Sequence, residues 1–183
     1  MEFRRISSPD SAAFREIWKI YEYSFPPDER RGLRRQREAF RKKPYRFFSV
    51  HDRPGIIGLI TAWHFPDFVF LEHLAVKKNL RGKKYGTRIL GRYVRRLRKT
   101  VVLEVERPGG SPFAEKRITF YRRAGFVLNS YDYIQPPYGR NKKPVPLFLM
   151  TYGRKRGKKE LSKIIRTLYA VVYDFPGAGI PAC

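Results

Sequence analysis

The chain has 183 residues, enough for one ordinary domain with a sizeable core and too few for a comfortable second one. With 42% apolar and 15% aromatic residues it has the composition of a folded protein, so its 40 Lys and Arg against 16 Asp and Glu, a formal +24, do not signal disorder. Such a field attracts polyanions of every kind and biases partners without choosing a function, while the single Cys183 excludes an internal disulfide and a cysteine metal cluster. No His cluster is visible either, so no metal is expected. Met1 to Arg5 lack the apolar core of a signal peptide, and no stretch approaches the length of a bilayer span. A cytoplasmic protein with no membrane span is the expectation.

In chain order, Glu2 to Ile6 can form a first strand, and Ser7-Ser8-Pro9-Asp10 offers turn and cap chemistry for a helix. Phe14, Ile17, Trp18, Tyr21 and Phe25 form the stripe of that helix, which Pro26-Pro27 ends. A second helical piece, Asp28 to Lys42, is dense in arginine and has Leu33, Ala39 and Phe40 as its few anchors, so most of it should be solvated. Tyr45 to Val50 and Ile56 to His64, separated by turn residues, read as a hairpin, and Phe68 to Val76 as a third sequential, antiparallel strand.

The stretch Leu80 to Leu90 then joins this strand to an amphipathic helix. Ile89, Leu90, Tyr93, Val94 and Leu97 recur at helical spacing, and Arg88, Arg92, Arg95, Arg96, Arg98 and Lys99 take the other face. Glycines in the turn let backbone N–H groups approach an anion, and the positive end of the helix dipole favours a phosphate. After the helix, Val101 to Val105 is a strand expected to return parallel to Phe68–Val76. A helix from about Phe113 to Ala124 ends at Gly125, and Phe126 begins a strand; the segment Ser130 to Gly139 and the last strand, Val145 to Tyr152, should pair as a hairpin. Basic residues 154–159 lead to a tail helix with Leu161, Ile164, Ile165, Leu168 and Val172 on one face, which should dock on this domain or form a homodimer with a second copy. The tail from Phe175 to Pro181 should be loose.

Arg81-Gly82-Lys83-Lys84-Tyr85-Gly86 resembles the Arg/Gln-x-x-Gly-x-Gly/Ala signature of the GNAT acyl-CoA N-acyltransferases, and Phe120-Tyr121-Arg122-Arg123-Ala124-Gly125-Phe126 resembles that family's Tyr-x-x-x-Gly-Phe segment. The resemblance covers about residues 3 to 152. It implies an α+β fold with a mixed, mostly antiparallel central sheet flanked by helices, a GNAT-like domain over residues 1–153, and a linker, helix and tail over 154–183. It also implies an N-acetyltransferase that moves an acetyl group from acetyl-CoA to a primary amine of a small molecule or protein. The backbone of Leu74 and Val76 would hold the pantetheine arm, and Arg81, Gly82, Lys83, Lys84, Tyr85, Gly86 and Thr87 the pyrophosphate. Tyr121 would protonate the departing thiolate. The connection Ser24 to Arg30 resembles the loop that overhangs the acceptor in many members, a proline helix break with ordinary surface charge being the alternative, and the loops Ser24 to Arg31 and Tyr131 to Lys143 would form the acceptor pocket. Two positions depart from the family pattern: Lys84 replaces the first glycine of the signature, and Ala114 stands where many members carry an asparagine.

The alternation of Phe68–Val76 puts Glu72 on the face of Leu74 and Val76, with His73 on the other. A carboxylate among apolar neighbours should have a raised pKa, which suits a general base; His73 and water are the alternatives. Tyr131, Tyr133 and Tyr138 would give the acceptor pocket aromatic walls. The competing reading is a basic nucleic-acid-binding protein on a GNAT-like scaffold, which uses the basic runs 30–43, 77–99 and 154–159 to bind weakly and without sequence preference.

Overall fold

A computed structural model gives the structure, which describes residues 1–53, 55–139 and 141–175. They form two compact units, Met1–Val101 and the residues from Val102 onward. The tail expected to be loose lies, from residue 176, outside the described residues, and so does Cys183.

The first unit is built on four strands, β1 (Glu2–Ile6), β2 (Tyr45–Asp52), β3 (Gly55–His64) and β4 (Phe68–Val76), each antiparallel to the next. Ile57 and the run from Leu59 to Trp63, apart from a buried Thr61, are the continuous apolar signature of a strand covered on both faces. The two coverings are legible on β2, where adjacent residues point oppositely. Helix α1 (Ala12–Ser24) sets Phe14 and Tyr21 against Phe47, at 5.6 and 6.5 Å between ring centroids, while helix α3 (Tyr85–Val94) sets Tyr93 against Phe48 at 5.9 Å. The α1 cap is Ser11, whose hydroxyl accepts the Phe14 N–H at 3.1 Å. The second helix is shorter than its arginine run: a 3-10 turn, Pro27–Glu29, precedes α2 (Leu33–Arg41).

In the second unit β7 (Val145–Tyr152) lies between β5 (Thr100–Glu106) and β6 (Phe126–Gln135) and is antiparallel to both, so the expected hairpin forms. Helix α4 (Pro112–Arg123) starts with the Ser111 hydroxyl accepting the Ala114 N–H at 3.1 Å and stops at Gly125, whose φ of +92° no helix continues. The tail helix α5 (Lys158–Thr167) and its wider last turn, Leu168–Val172, bury the predicted stripe of Leu161, Ile164, Ile165, Leu168 and Val172. They are fastened to β6 of the same chain: Tyr169 Oη donates to the Ile134 carbonyl at 2.6 Å, and Tyr131 Oη lies 3.2 Å from Ser162 Oγ. Of the two dockings the sequence leaves open, these contacts are with the helix's own chain. The basic linker is fixed too: the Arg156 N–H donates to Asn129 Oδ1 at 2.8 Å, and Asn129 Nδ2 donates to Thr151 Oγ1 at 3.0 Å.

Candidate functional site

In the first unit the site begins with an irregularity that alternation could not announce. Thr61 pairs with His73 but Ala62 with Leu71, so Glu72 is the extra residue of a β-bulge. The expectation that Glu72 and His73 point to opposite faces is corrected, because both meet Thr61, whose Oγ1 lies 3.3 Å from Glu72 Oε2 and 2.9 Å from His73 Nδ1. Glu72 also accepts the Trp63 indole N–H at 2.9 Å and pairs with the Arg31 guanidinium, which stacks over the Trp63 ring. The side chains of Glu72 and Arg31 are 1% and 5% exposed. Burial alone would raise the Glu72 pKa, as expected from sequence, but the Arg31 charge and the His73 and Trp63 hydrogen bonds outweigh it and hold the carboxyl well below its ordinary range. The expected raised pKa is therefore corrected, and with it the ground for taking Glu72 as a general base.

His73 Nε2 lies 3.1 Å from the Glu29 carbonyl, which can only accept. Its Nδ1 faces the other way, 3.6 Å from Glu72 Oε2 and beside the Thr61 hydroxyl. Tyr21 Oη accepts the Arg31 N–H at 3.0 Å, and the Tyr21 and Phe25 rings meet the imidazole edge-on. The segment between α1 and α2, read as the acceptor loop, is therefore tied to the bulge of β4 and to α1.

Towards the end of β4 the bond pattern decides which way the backbone faces. Lys77 N–H donates to the Ile57 carbonyl at 2.9 Å, which makes that a hydrogen-bonded pair. Alternation then makes Leu74 and Val76 non-hydrogen-bonded residues opposite Ile60 and Gly58, with their N–H and C=O groups directed away from β3. Beyond them the chain enters the turn. Gly82 has φ +78°, and Lys84 has φ +59° and ψ 9° as the cap of α3, so the lysine that stands at a glycine position of the signature adopts a left-handed conformation. The Lys84 carbonyl accepts the Arg88 N–H at 3.1 Å, while the N–H groups of Tyr85, Gly86 and Thr87, in the first turn, have no intrahelical acceptor. Lys83, Lys84 and Thr87 are exposed. Arg81 differs from its neighbours: Nε donates to the Val76 carbonyl at 3.2 Å and Nη2 to Ser24 Oγ at 3.0 Å, and the guanidinium lies over Tyr23. Its side chain braces the turn against α1.

In the second unit Tyr121 lies in the last turn of α4, half-buried, with its ring 5.0 Å from Phe120 and 5.8 Å from Phe126. Burial, only partly offset by Arg117, pushes its phenol up to about 12. Ala114, at the family's asparagine position, is fully buried. The tyrosines expected as pocket walls are engaged instead. Tyr133, 1% exposed, donates to Glu104 on β5, and Tyr173, beyond α5, donates to both Glu104 oxygens at 2.8 Å. Tyr138 Oη lies 3.5 Å from that of Tyr173. Burial first, and then the Glu104 charge, raise the Tyr133 pKa well above the ordinary phenol value.

Sequence reasoning missed Arg31, Thr61 and Trp63 around Glu72, and Glu104 with its phenols. The one available signal was Glu104 itself, a charge inside the apolar run Val101 to Val105. Among the described residues no helix is long and apolar enough to cross a membrane.

With this geometry in hand, the chain matches the model of the Acetyltransferase (GNAT) family over residues 11–126. A GNAT-family structure from Bacteroides thetaiotaomicron is 35% identical, with TM-score 0.90, over 96% of this chain and 100% of that one. An Elizabethkingia anophelis GNAT-family acetyltransferase with acetyl-CoA bound superposes with TM-score 0.57 at 12% identity, over 84% of this chain and 97% of that one. The Escherichia coli ribosomal-protein-S18-alanine N-acetyltransferase does so with TM-score 0.56 at 13% identity, over 86% and 96%. No curated protein matches the chain.

Proposed function

Since the chain belongs to the GNAT acetyltransferase family and has its α+β, mixed-sheet fold, we propose that it transfers an acetyl group from acetyl-CoA to the primary amine of a small-molecule or protein acceptor. The observation that supports the cofactor is the continuity of β4 with the turn. Leu74 and Val76 direct their backbone groups away from β3, as an amide-rich pantetheine arm requires, and the same strand leads into the α3 turn. There the first-turn N–H groups and the positive end of the helix dipole suit a pyrophosphate, and exposed Lys83 and Lys84 add charge. Gly82 to Thr87 are the proposed phosphate contacts. Arg81 belongs to the same site as the brace that holds the turn.

In the proposed reaction the amine lone pair attacks the thioester carbonyl, a C–N bond forms, the C–S bond breaks, and the thiolate takes a proton. Tyr121 is the proposed donor. A phenol near 12 gives no downhill drive to a thiolate whose acid has a pKa of about 8.5, so its contribution must come from position. Glu72 is held ionised by Arg31 and is a poor proton acceptor; its proposed part is to hold Arg31, and with it the acceptor loop. The amine proton then leaves to water. Nothing in the family comparisons favours the nucleic-acid-binding module as a replacement for this activity.

Titration calorimetry with acetyl-CoA tests the reading: stoichiometric binding is expected, and Gly86→Glu should abolish it by setting an anion in the place of the phosphate. No heat from folded wild-type protein would overturn it. With an acceptor found by screening amines for thiol release, Tyr121→Phe should lower turnover by about two to four orders of magnitude while acetyl-CoA affinity barely changes. Unchanged turnover, with chemistry rate-limiting, would remove Tyr121 from the mechanism.

A further inference from the structure

The basic runs of this chain are not equivalent once their partners are known. In and around α2, Arg37 pairs with Asp10 at 3.0 Å, Arg35 with Glu38 at 3.5 Å and Arg30 with Glu22 at 3.8 Å. Before α5, Arg154 and Arg156 share Glu160 at 2.9 and 3.1 Å. Near the cofactor turn Lys77 meets Glu16 at 3.5 Å and Arg88 meets Asp52 at 3.3 Å. These charges are internally compensated.

One group is not. On β1, Phe3 and Arg5 share a face, and the register sets Arg5 opposite Phe48, with Arg46 two residues away on the same face of β2. Tyr93 of α3 packs on this face, 5.7 Å from Phe3 and 5.9 Å from Phe48, and its hydroxyl lies 3.0 Å from His64 Nε2. That contact brings the end of α3 down onto the sheet. Arg96 lies over the Phe3 ring at 5.0 Å, Arg92 is one turn earlier, and Lys99 Nζ reaches the Phe65 carbonyl at 3.0 Å. Arg5, Arg92, Arg96 and Lys99 are exposed and Arg46 is half-buried. Among the described residues none of the five has a carboxylate partner; Arg46 and Lys99 donate only to backbone carbonyls.

The electrostatics agree. His64 is lowered to about 4 by burial first and then by Arg46, Lys99 and Arg5, so the three charges act on one ring. Burial first, and then Arg5, lower Arg46 as well. Like charges gathered without counter-charges cost folding stability, and a bound polyanion relieves that repulsion.

We propose that the surface formed by Arg5, Arg46, Arg92, Arg96 and Lys99 binds the phosphate backbone of nucleic acid, separately from the cofactor turn. The rings here, Phe3, Phe48 and Tyr93, are packed against one another and under Arg96, which leaves charge rather than base stacking as the recognition. The binding is therefore sequence-independent and steeply salt-dependent.

The test measures fluorescence anisotropy of a short labelled mixed-sequence duplex over a salt series, with two triple variants that remove the same net charge. Arg5→Gln, Arg96→Gln and Lys99→Gln together should weaken binding about 30-fold at low salt and make the log–log salt slope shallower by about 2 to 3. Arg35→Gln, Arg37→Gln and Arg154→Gln, whose charges are paired with Glu38, Asp10 and Glu160, should change affinity less than about threefold. Thermal unfolding followed by circular dichroism checks that both fold; should the first fail, the single variants Arg5→Gln and Arg96→Gln are each expected to weaken binding about threefold. Equal losses in the two triples would show a diffuse field and overturn the proposal. So would wild-type affinity in the first triple, or binding to phosphatidylserine vesicles without binding to the duplex.

Discussion

Each unit holds a carboxylate on a strand, and the two are surrounded by opposite chemistry. Glu72 on β4 faces a guanidinium, an indole N–H, a hydroxyl and an imidazole, and its side chain is almost wholly removed from water. Glu104 on β5, half-buried, accepts from the phenols of Tyr133 and Tyr173, with Tyr138 behind them. In the first unit the strong term is an ion pair whose members have both been desolvated, so each depends on the other. In the second the donors are neutral and each phenol contributes separately. The contrast lies in the carboxylates, since burial raises phenols in both units. Glu72 is fixed as an anion, whereas Tyr121 and Tyr133 are both raised and stay protonated.

The largest effect expected from this contrast comes from removing one member of the ion pair. Glu72→Gln leaves the Arg31 guanidinium buried without its counter-charge and should cost about 3–5 kcal/mol. Glu104→Gln keeps an acceptor for both phenols and should cost less, about 1–3 kcal/mol. Urea unfolding of the two variants ranks them directly, and a Glu104→Gln loss equal to that of Glu72→Gln would erase the distinction. The double replacement Arg31→Met with Glu72→Leu should regain most of the lost stability, because the desolvation cost of both charges disappears with the pair.

What the sequence could and could not announce follows the range of the interactions. Strand composition, the Gly125 stop and the stripe Leu161 to Val172 are local patterns, and they gave the elements near their true limits. The turn proposed for the cofactor was legible as a strand-to-helix turn because glycine and helix-start chemistry are local as well. Arg31 was not: it sits in an arginine-rich stretch that reads as solvated, and only the bulge at Glu72, more than forty residues on, buries it. The same bulge defeated the alternation argument for His73, since one extra residue inverts every facing downstream. Tyr133 and Tyr138 read as pocket walls because Tyr173, the partner that helps to engage them, lies in a tail segment whose docking the sequence left open between this domain and a second copy.

Within the first unit, pH separates Glu72 from His64. The Glu72 carboxyl is depressed when folded and returns towards 4.5 when unfolded, so its contribution is fully present above that value and is lost as pH falls through the folded value. Wild-type protein should therefore lose stability as the pH drops below about 4.5, and Glu72→Gln should show a flatter dependence there. His64 adds a separate slope. Its folded pKa is lowered to about 4 from 6.5, so the unfolded chain binds the extra proton and stability falls as pH goes from 6.5 towards 4. His64→Gln should remove that slope and leave the one below it; denaturant midpoints against pH for the three proteins would show whether the windows separate.

A last effect tests whether the phenol network is a set of independent bonds. Tyr173→Phe keeps the ring against Tyr138, at 5.1 Å, and removes only the hydroxyl on Glu104. Glu104 retains Tyr133, so the loss should be that of one hydrogen bond to a charged group, about 1.5–3 kcal/mol, and towards the low end because the carboxylate is only half-buried. The same substitution at Tyr121 makes a useful contrast. Tyr121 is half-buried against Phe120 and Phe126, and phenylalanine preserves that packing, so its stability should barely change while its turnover falls. If each tyrosine does one job, Tyr173→Phe moves the urea midpoint and leaves turnover within about twofold, and Tyr121→Phe does the reverse. A Tyr173→Phe loss as large as that of Glu72→Gln would mean that the hydroxyls around Glu104 act as a unit, and the second unit would then be as cooperative as the first.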